Sequence, residues 1–515
     1  MNIKLTNYNL KQSKAILCIL LLIVMSMTIS CEKYVDIRRN SSQGLIETVR
    51  DAQLLLDSYN IMNIEYASDA QLSADDFFIS GQTFNSGSVE DQGIFTWQDV
   101  PRANAAPNWQ NQYQIVYRAN LALETIEKIR STSTNKTEVD IIAENNVRGA
   151  GLFFRAYSFW NIAQLYADPY NADNLDRPGI PLRLVSDINI KSIRSTVKQT
   201  YDKIIQDLQE AAVLLPDIAI VVSRPSKVAA YAMLARVYLS MGSYSEALNY
   251  ANEALKIKST LMDFNLLTGS QLSSNTPFAR FNIEVIFHSQ TSSTTYLNPG
   301  VVNNPIARID PILVSSYESN DLRKIVFLKP NNITLNYINS SGGSSSASVP
   351  DFTYRFTGNY EQTSNAAQFN GLAVDELYLI SAECYARLGN RESAIKNLNI
   401  LLKNRYVNTT TNPYVEINVN TDDRALDLIL EHRRKELVMR SQRWTDLRRL
   451  NKEPKYRKDI LRNISDINAV GTSPSNYNIV YTPRASFVLP ANDKKYTLLI
   501  PQEVISNSEI QQNNR

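Results

Sequence analysis

Two stretches of this chain repeat one spacing of small and aromatic residues, and few folds can accommodate that spacing. In the first, Ala235, Tyr238, Gly242, Tyr244, Ala247, Ala251 and Ala254 follow one another; in the second, Ala382, Tyr385, Gly389, Arg391, Ala394, Leu398 and Leu401 fall at the same intervals. Steps of three and four residues set the apolar members on one helical face. The glycine stands where a helix can end in a left-handed residue and reverse. Each stretch therefore predicts a hairpin of two helices that approach closely over small side chains.

The spacing resembles the tetratricopeptide (TPR) repeat, but the copies start 147 residues apart, far more than the period of about 34 in a continuous array. The expectation is a mostly α fold, a TPR-like helical-hairpin scaffold with long loop insertions and a few short strands. Amphipathic periodicity predicts further helices at Thr48–Met62, Trp109–Arg130, Val139–Leu165 and Tyr201–Leu215. The insertions are Ser68–Asn108 and roughly Thr260–Asn370, and the run Ser340–Ser346 reads as a flexible loop tip. Glu284–Ser289 and Tyr496–Ile500 are the strand candidates. On the apolar stripes, Trp109, Trp160, Tyr238 and Tyr385 are expected in packing roles.

Composition excludes several function classes. The chain has 53 basic and 51 acidic residues, a net of +2, which gives no reason to expect nucleic acid as a partner. Three cysteines, Cys18, Cys31 and Cys384, cannot form a disulfide framework, and two histidines, His288 and His432, cannot supply a multi-histidine metal site. Both histidines and Cys384 read as structural. Neither a GxSxG elbow, an HExxH pair, a phosphate-cradling glycine loop nor a calcium loop occurs. No catalytic residue, metal or cofactor is expected.

Lys4, Lys11 and Lys14 precede an apolar or small run from Ala15 to Ser30, and Cys31 follows at once. The run is short for a spanning helix and fits an export signal. Ser30-Cys31 resembles a bacterial lipobox, which implies cleavage after residue 30 and lipidation of Cys31. The expected layout is a signal peptide at 1–30 and one domain at 31–515, its N-terminal part at about 31–225 and its C-terminal part at about 226–515.

Near the C-terminus stands Glu431-His432-Arg433-Arg434-Lys435-Glu436-Leu437, followed by Gln442-Arg443-Trp444-Thr445-Asp446-Leu447-Arg448-Arg449. This resembles the signature helix of the SusD/RagB family, surface nutrient-binding lipoproteins of Bacteroidetes, and one helix is expected across it. WQNQYQIVYRANLALETI, RAYSFWNIAQLYADPYN, the two hairpins, EVIF and IPQEVISNSEIQQN agree in family order. Arg440-Ser441 replaces the family's usual Glu-Gly. The signature charges are expected to form a buried or half-buried ion network that fixes the scaffold, with Trp444 and Leu447 in the core. Glu431 and Glu436, five residues apart on a helix, point in different directions and make no catalytic pair.

The resemblance implies a lipid-anchored outer-membrane protein that captures a glycan and delivers it to a SusC-like TonB-dependent β-barrel transporter. The TPR-like helices would face that partner, and the insertion loops would hold ligand. A peptide-binding member of the family, a surface glycan hydrolase and a pure assembly protein are the alternatives. With 27 Tyr, 16 Phe and 4 Trp, the chain has ample flat rings for stacking on sugar faces. The expected ligand contacts are Trp97 first, with Asp75, Asp76, Phe78 and Asn85 on the same loop, then Tyr296, Tyr354 and Tyr360.

Overall fold

Helices dominate the computed structural model, which describes residues 46–133 and 135–515. Those of eight or more residues are α1 (Val49–Leu56), α2 (Gln110–Thr132), α3 (Glu138–Tyr166), α4 (Val197–Leu214), α5 (Lys227–Met241), α6 (Tyr244–Ile257), α7 (Val374–Arg387), α8 (Arg391–Lys403), α9 (Asp422–Glu436) and α10 (Arg443–Leu450). Their starts follow from sequence. Thr48, Thr137 and Thr196 each close a capping box with the residue three positions on, satisfying donors a helix N-terminus leaves open. The helix expected at Thr48–Met62 breaks at Asp57, and Tyr59–Met62 forms a separate turn.

Successive long helices pack in order, α2 on α3, α3 on α4, α4 on α5, and α5 on α6. The next contact skips the insertion: α6 packs directly on α7, which packs on α8 and α9. The two hairpins distant in sequence are therefore stacked neighbours. Asn252 joins them, its Oδ1 accepting from the Ser381 hydroxyl at 3.0 Å and its amide donating to Tyr385 at 3.2 Å. Gly242 and Gly389 turn the hairpins at φ of +82° and +77°, a backbone conformation open to glycine at little cost.

The insertions carry a core of their own. Leu72, Phe77, Phe95, Phe278, Tyr296, Val326, Phe327, Tyr360 and Phe369 bury one another between the two insertion segments. Four long strands also emerge that the sequence reading did not anticipate: β1 (Leu328–Ile338), β2 (Ser344–Phe356), β3 (Ile460–Ser473) and β4 (Asn476–Leu489). They form a sheet in the order β4-β3-β1-β2, two antiparallel hairpins joined by a parallel contact of Ala469 with Leu335.

Three expectations are corrected here. Ser344–Ser346 lie in β2, paired with Ile338–Asn336, so only the residues just before them form the tip, held by the Asn339 side chain. Tyr496–Ile500 is no strand; a short 3-10 turn, Lys494–Tyr496, ends there, and Tyr496 stacks on Trp444 at 4.8 Å. Glu284–Ser289 does contain a strand, Val285–Phe287. The signature is not one helix: α9 stops at Glu436, and α10 starts at Arg443 after a reversal with Met439 and Ser441 at φ of +59° and +58°. The signal segment and Cys31 lie outside the described residues. No described helix is long and apolar enough to cross a membrane.

Candidate functional site

A cleft of ≈540 Å³ opens where the first insertion meets the β3–β4 hairpin. The Phe77–Phe78 strand, paired antiparallel with Arg308–Ile309, forms one wall. Asp310–Ile312 continues that wall, and Lys458–Asn463 with Tyr481 forms the other. Larger grooves of ≈860 and ≈970 Å³ run beside α2 and α8. The smaller cleft is distinguished by its connection to the signature arginines.

Asp75 makes that connection. Arg443 of α10 donates to both its oxygens at 2.6 and 3.1 Å, Lys458 donates at 2.8 Å, and Arg434 of α9 lies at 3.4 Å. Burial alone would raise the Asp75 carboxyl, but Arg443, Arg434 and Lys458 outweigh it and hold the group well below the usual carboxylate range. Arg434 also reaches Asp310 at 2.9 Å. Asp76 is buried behind this pair; desolvation raises it, against the opposing pull of Arg434, and Gln71 donates to it at 3.1 Å.

Beneath the wall, the Arg462 guanidinium lies 3.8 Å from the Phe95 ring centre and 4.6 Å from that of Trp97. Burial draws it down to about 9. The cleft floor is thus a fixed lattice of charges, while its rim is open and apolar: Ile312 is 69%, Leu461 60% and Tyr481 48% exposed. Rings and aliphatic groups for stacking, beside Lys458, Asp459 and Asn463 for hydroxyls, make a surface suited to binding an extended polar ligand with apolar faces. Asp75, fixed as a carboxylate by three cations, is not a proton donor, and among the described residues no cluster of His, Cys, Asp and Glu could hold a metal ion.

Of the expected contact residues, the cleft brings together only Asp75 and Phe78. Three are corrected to core positions. Trp97 is 1% exposed, donates its indole N–H to the Ser73 carbonyl at 3.0 Å, and has both faces covered by protein. Tyr296 is buried against Phe84 and Phe95. Tyr360 is buried under the Arg440 guanidinium at 4.0 Å and donates to Glu284 at 2.6 Å. Asp76 is likewise enclosed. Asn85 is exposed on the Gly81–Ser86 helix and Tyr354 is half-buried in β2, both outside the cleft lining. Sequence reading missed Lys458, Leu461 and Tyr481. The signal was present in the alternating pattern on either side of Thr472–Asn476.

The signature network is buried as expected, yet most of its partners are remote. Glu436 accepts from Arg405 at 2.8 Å and Arg323 at 3.1 Å, and Arg440 reaches Asp375 at 2.9 Å. Arg433 and Arg449 share Asp446 at 2.9 and 2.8 Å. Trp444 and Leu447 are in the core, and so are both histidines and Cys384. Burial, then Arg323 and Lys435, hold His432 well below its usual value, so it stays neutral.

Two family models match this chain, one described as starch-binding and associating with the outer membrane over residues 33–239, the other as the SusD family over 335–515. The chain belongs to the SusD/RagB family. SusD-like protein P38 of Formosa agariphila is 24% identical over 490 residues, covering 84% of this chain and 90% of its relative. SusD-like protein P2 of the same organism is 24% identical, over 72% and 76%. A SusD superfamily structure from Bacteroides thetaiotaomicron matches with a TM-score of 0.63 at 21% identity, covering 91% of this chain and 100% of its own. A laminarin-binding SusD-like protein matches at 0.57 and 19%, over 90% and 97%. The structural matches show the SusD-like fold, mostly α around TPR-like hairpins.

Proposed function

We propose that this chain is a cell-surface lipoprotein that captures an oligo- or polysaccharide in the cleft at Phe78, Leu461 and Tyr481 and delivers it to a SusC-like TonB-dependent barrel. The observation that carries the reading is the cleft itself, an open rim of rings and aliphatic groups over a floor of immobilised charge. A preorganised floor lowers the ordering cost of binding. The laminarin-binding relative and the family's starch-binding description support a glycan as ligand. The signal at 1–30, lipidation at Cys31, the single domain from 31 onward and surface exposure on the outer membrane belong to the same proposal. In it the protein acts by binding alone, without cofactor or turnover, and Asp75 and Phe78 are ligand-side residues.

The test is calorimetry on the chain after Cys31 against plant, fungal and host glycans and mixed peptides. A glycan that binds, and binds at least about tenfold more weakly to Tyr481→Ala, supports the site, since losing one stacked ring typically costs more than about 1 kcal/mol. Glycan affinity unchanged in both Tyr481→Ala and Phe78→Ala rules the cleft out. A pull-down from outer membranes that recovers no β-barrel transporter rules out the delivery step.

A further inference from the structure

Beyond the C-terminal end of α3 lies a separate cavity of ≈300 Å³, lined among others by Asp168, Asn171, Arg177, Arg448, Lys452 and Lys494. Its charges do not balance. Asp168 is engaged by Arg177 at 2.9 Å and by the Thr497 hydroxyl at 2.8 Å. Asp493, also in the lining, caps the Lys495 amide at 2.9 Å. Neither Arg448 nor Lys452 has a described carboxylate within ion-pair distance, and Asp168 acts on Arg448 only from farther off. Arg448 donates to the main-chain oxygens of Gln164 and Ala167, and Lys452 to that of Tyr170.

This sets Arg448 apart from the rest of the signature, where Arg433, Arg434, Lys435, Arg440, Arg443 and Arg449 each reach a carboxylate. Arg448 is 3% exposed and its Nε–H has no partner. These main-chain carbonyls, at the helix end for Arg448 and in the following loop for Lys452, carry partial negative charge only, too little to neutralise two full cations. A buried donor without a partner is costly, and the cost is removed when an anion occupies the space beside it.

We propose that this cavity is an oxyanion site, in which Arg448 and Lys452 bind sulfate, phosphate or the carboxylate or sulfate of an acidic sugar. The assignment does not depend on the glycan reading of the cleft. Burial and the neighbouring Arg448 and Arg449 bring Lys452 down to about 8, the behaviour of an ammonium that lacks a counter-charge. A cavity of this size is at the small end for ligand pockets, enough for an inorganic oxyanion or one acidic sugar ring.

The test titrates the chain after Cys31 with sodium sulfate, sodium phosphate, sodium glucuronate and glucose, at ionic strength matched with sodium chloride. Melting temperature and calorimetry are the readouts. Oxyanions are expected to raise the melting temperature above the chloride baseline while glucose does not. Binding is expected to weaken at least about tenfold in Lys452→Gln, the loss of one charge-assisted hydrogen bond. That variant leaves the Arg448 contacts with α3 in place. In the wild type, binding is expected to fall as pH rises through about 8, where Lys452 loses its proton. A response to inorganic anions and glucuronate alike assigns the oxyanion itself; a response to glucuronate alone assigns the acidic sugar. No effect beyond chloride, or binding independent of pH through this range, overturns the site.

Discussion

Replacing Glu383 by glutamine probes the buried network most directly, because the amide has nearly the shape of the acid without its charge. Glu383 of α7 is fully buried and accepts two hydrogen bonds from Arg449 of α10, one at 2.8 Å, and another from Arg387 at 2.8 Å. Burial alone would raise its carboxyl, but Arg449 and Arg387 win and bring it from 4.5 down to about 2. At about 1.36 kcal/mol per pH unit, that difference is worth about 3 kcal/mol of stability. The folded value is depressed, so this contribution is complete above the unfolded value near 4.5 and disappears as pH falls from there toward about 2. Urea unfolding of wild type and Glu383→Gln at pH 7 should therefore differ by about 3 kcal/mol. Between pH 4.5 and 2.5 the gap should narrow. A gap under about 1 kcal/mol at pH 7, or one of constant size down to pH 2.5, would refute the assignment of this stability to the ion pairs.

Ser441 occupies a left-handed position, φ +58°, where the family usually has glycine, and its buried hydroxyl has no partner; Ser441→Gly should stabilise the protein by about 1 kcal/mol in the same urea assay. Trp97→Ala should cost about 3–5 kcal/mol by opening a cavity in the core, and if the variant folds, its glycan affinity per folded molecule should stay near wild type. Arg443→Met leaves Asp75 with Arg434 and Lys458 only and should destabilise by about 3 kcal/mol, read as a lower urea midpoint at unchanged slope.

The hairpins and long helices were legible because their signals are local. Capping threonines, a glycine at the turn and steps of three and four residues all act within a few residues of one another. The direct stacking of α6 on α7 was not legible, since it depends on where the excursion between them returns. The site was harder for a related reason. A tryptophan on a loop has the same local sequence whether its ring faces water or Arg462, and Trp97 faces Arg462. Phe78 and Asp75 were named with Trp97 for one reason, the mixture of rings and polar groups on their loop; they differ from it in lying half-buried at and just before the short Phe77–Phe78 strand. Tyr481 was missed because β3 and β4 are largely solvent-facing and polar, with Asn468 and Thr482 exposed and Ser465 half-buried, so they lack the apolar run that marks a strand.

The seam between the two hairpins has an evolutionary consequence. The chain leaves at Ile257 and returns at Val374, and at that point Tyr378 donates to the Ser259 carbonyl at 3.2 Å. An excursion whose ends are this close can lengthen at little thermodynamic penalty, about 0.6 kcal/mol for each doubling. The helical frame therefore constrains the excursion's length only weakly, and holds it through buried ties such as Arg323 to Glu436 and Glu284 to Arg405. A lineage can lengthen or shorten this excursion while the stacked hairpins pass unchanged to its descendants.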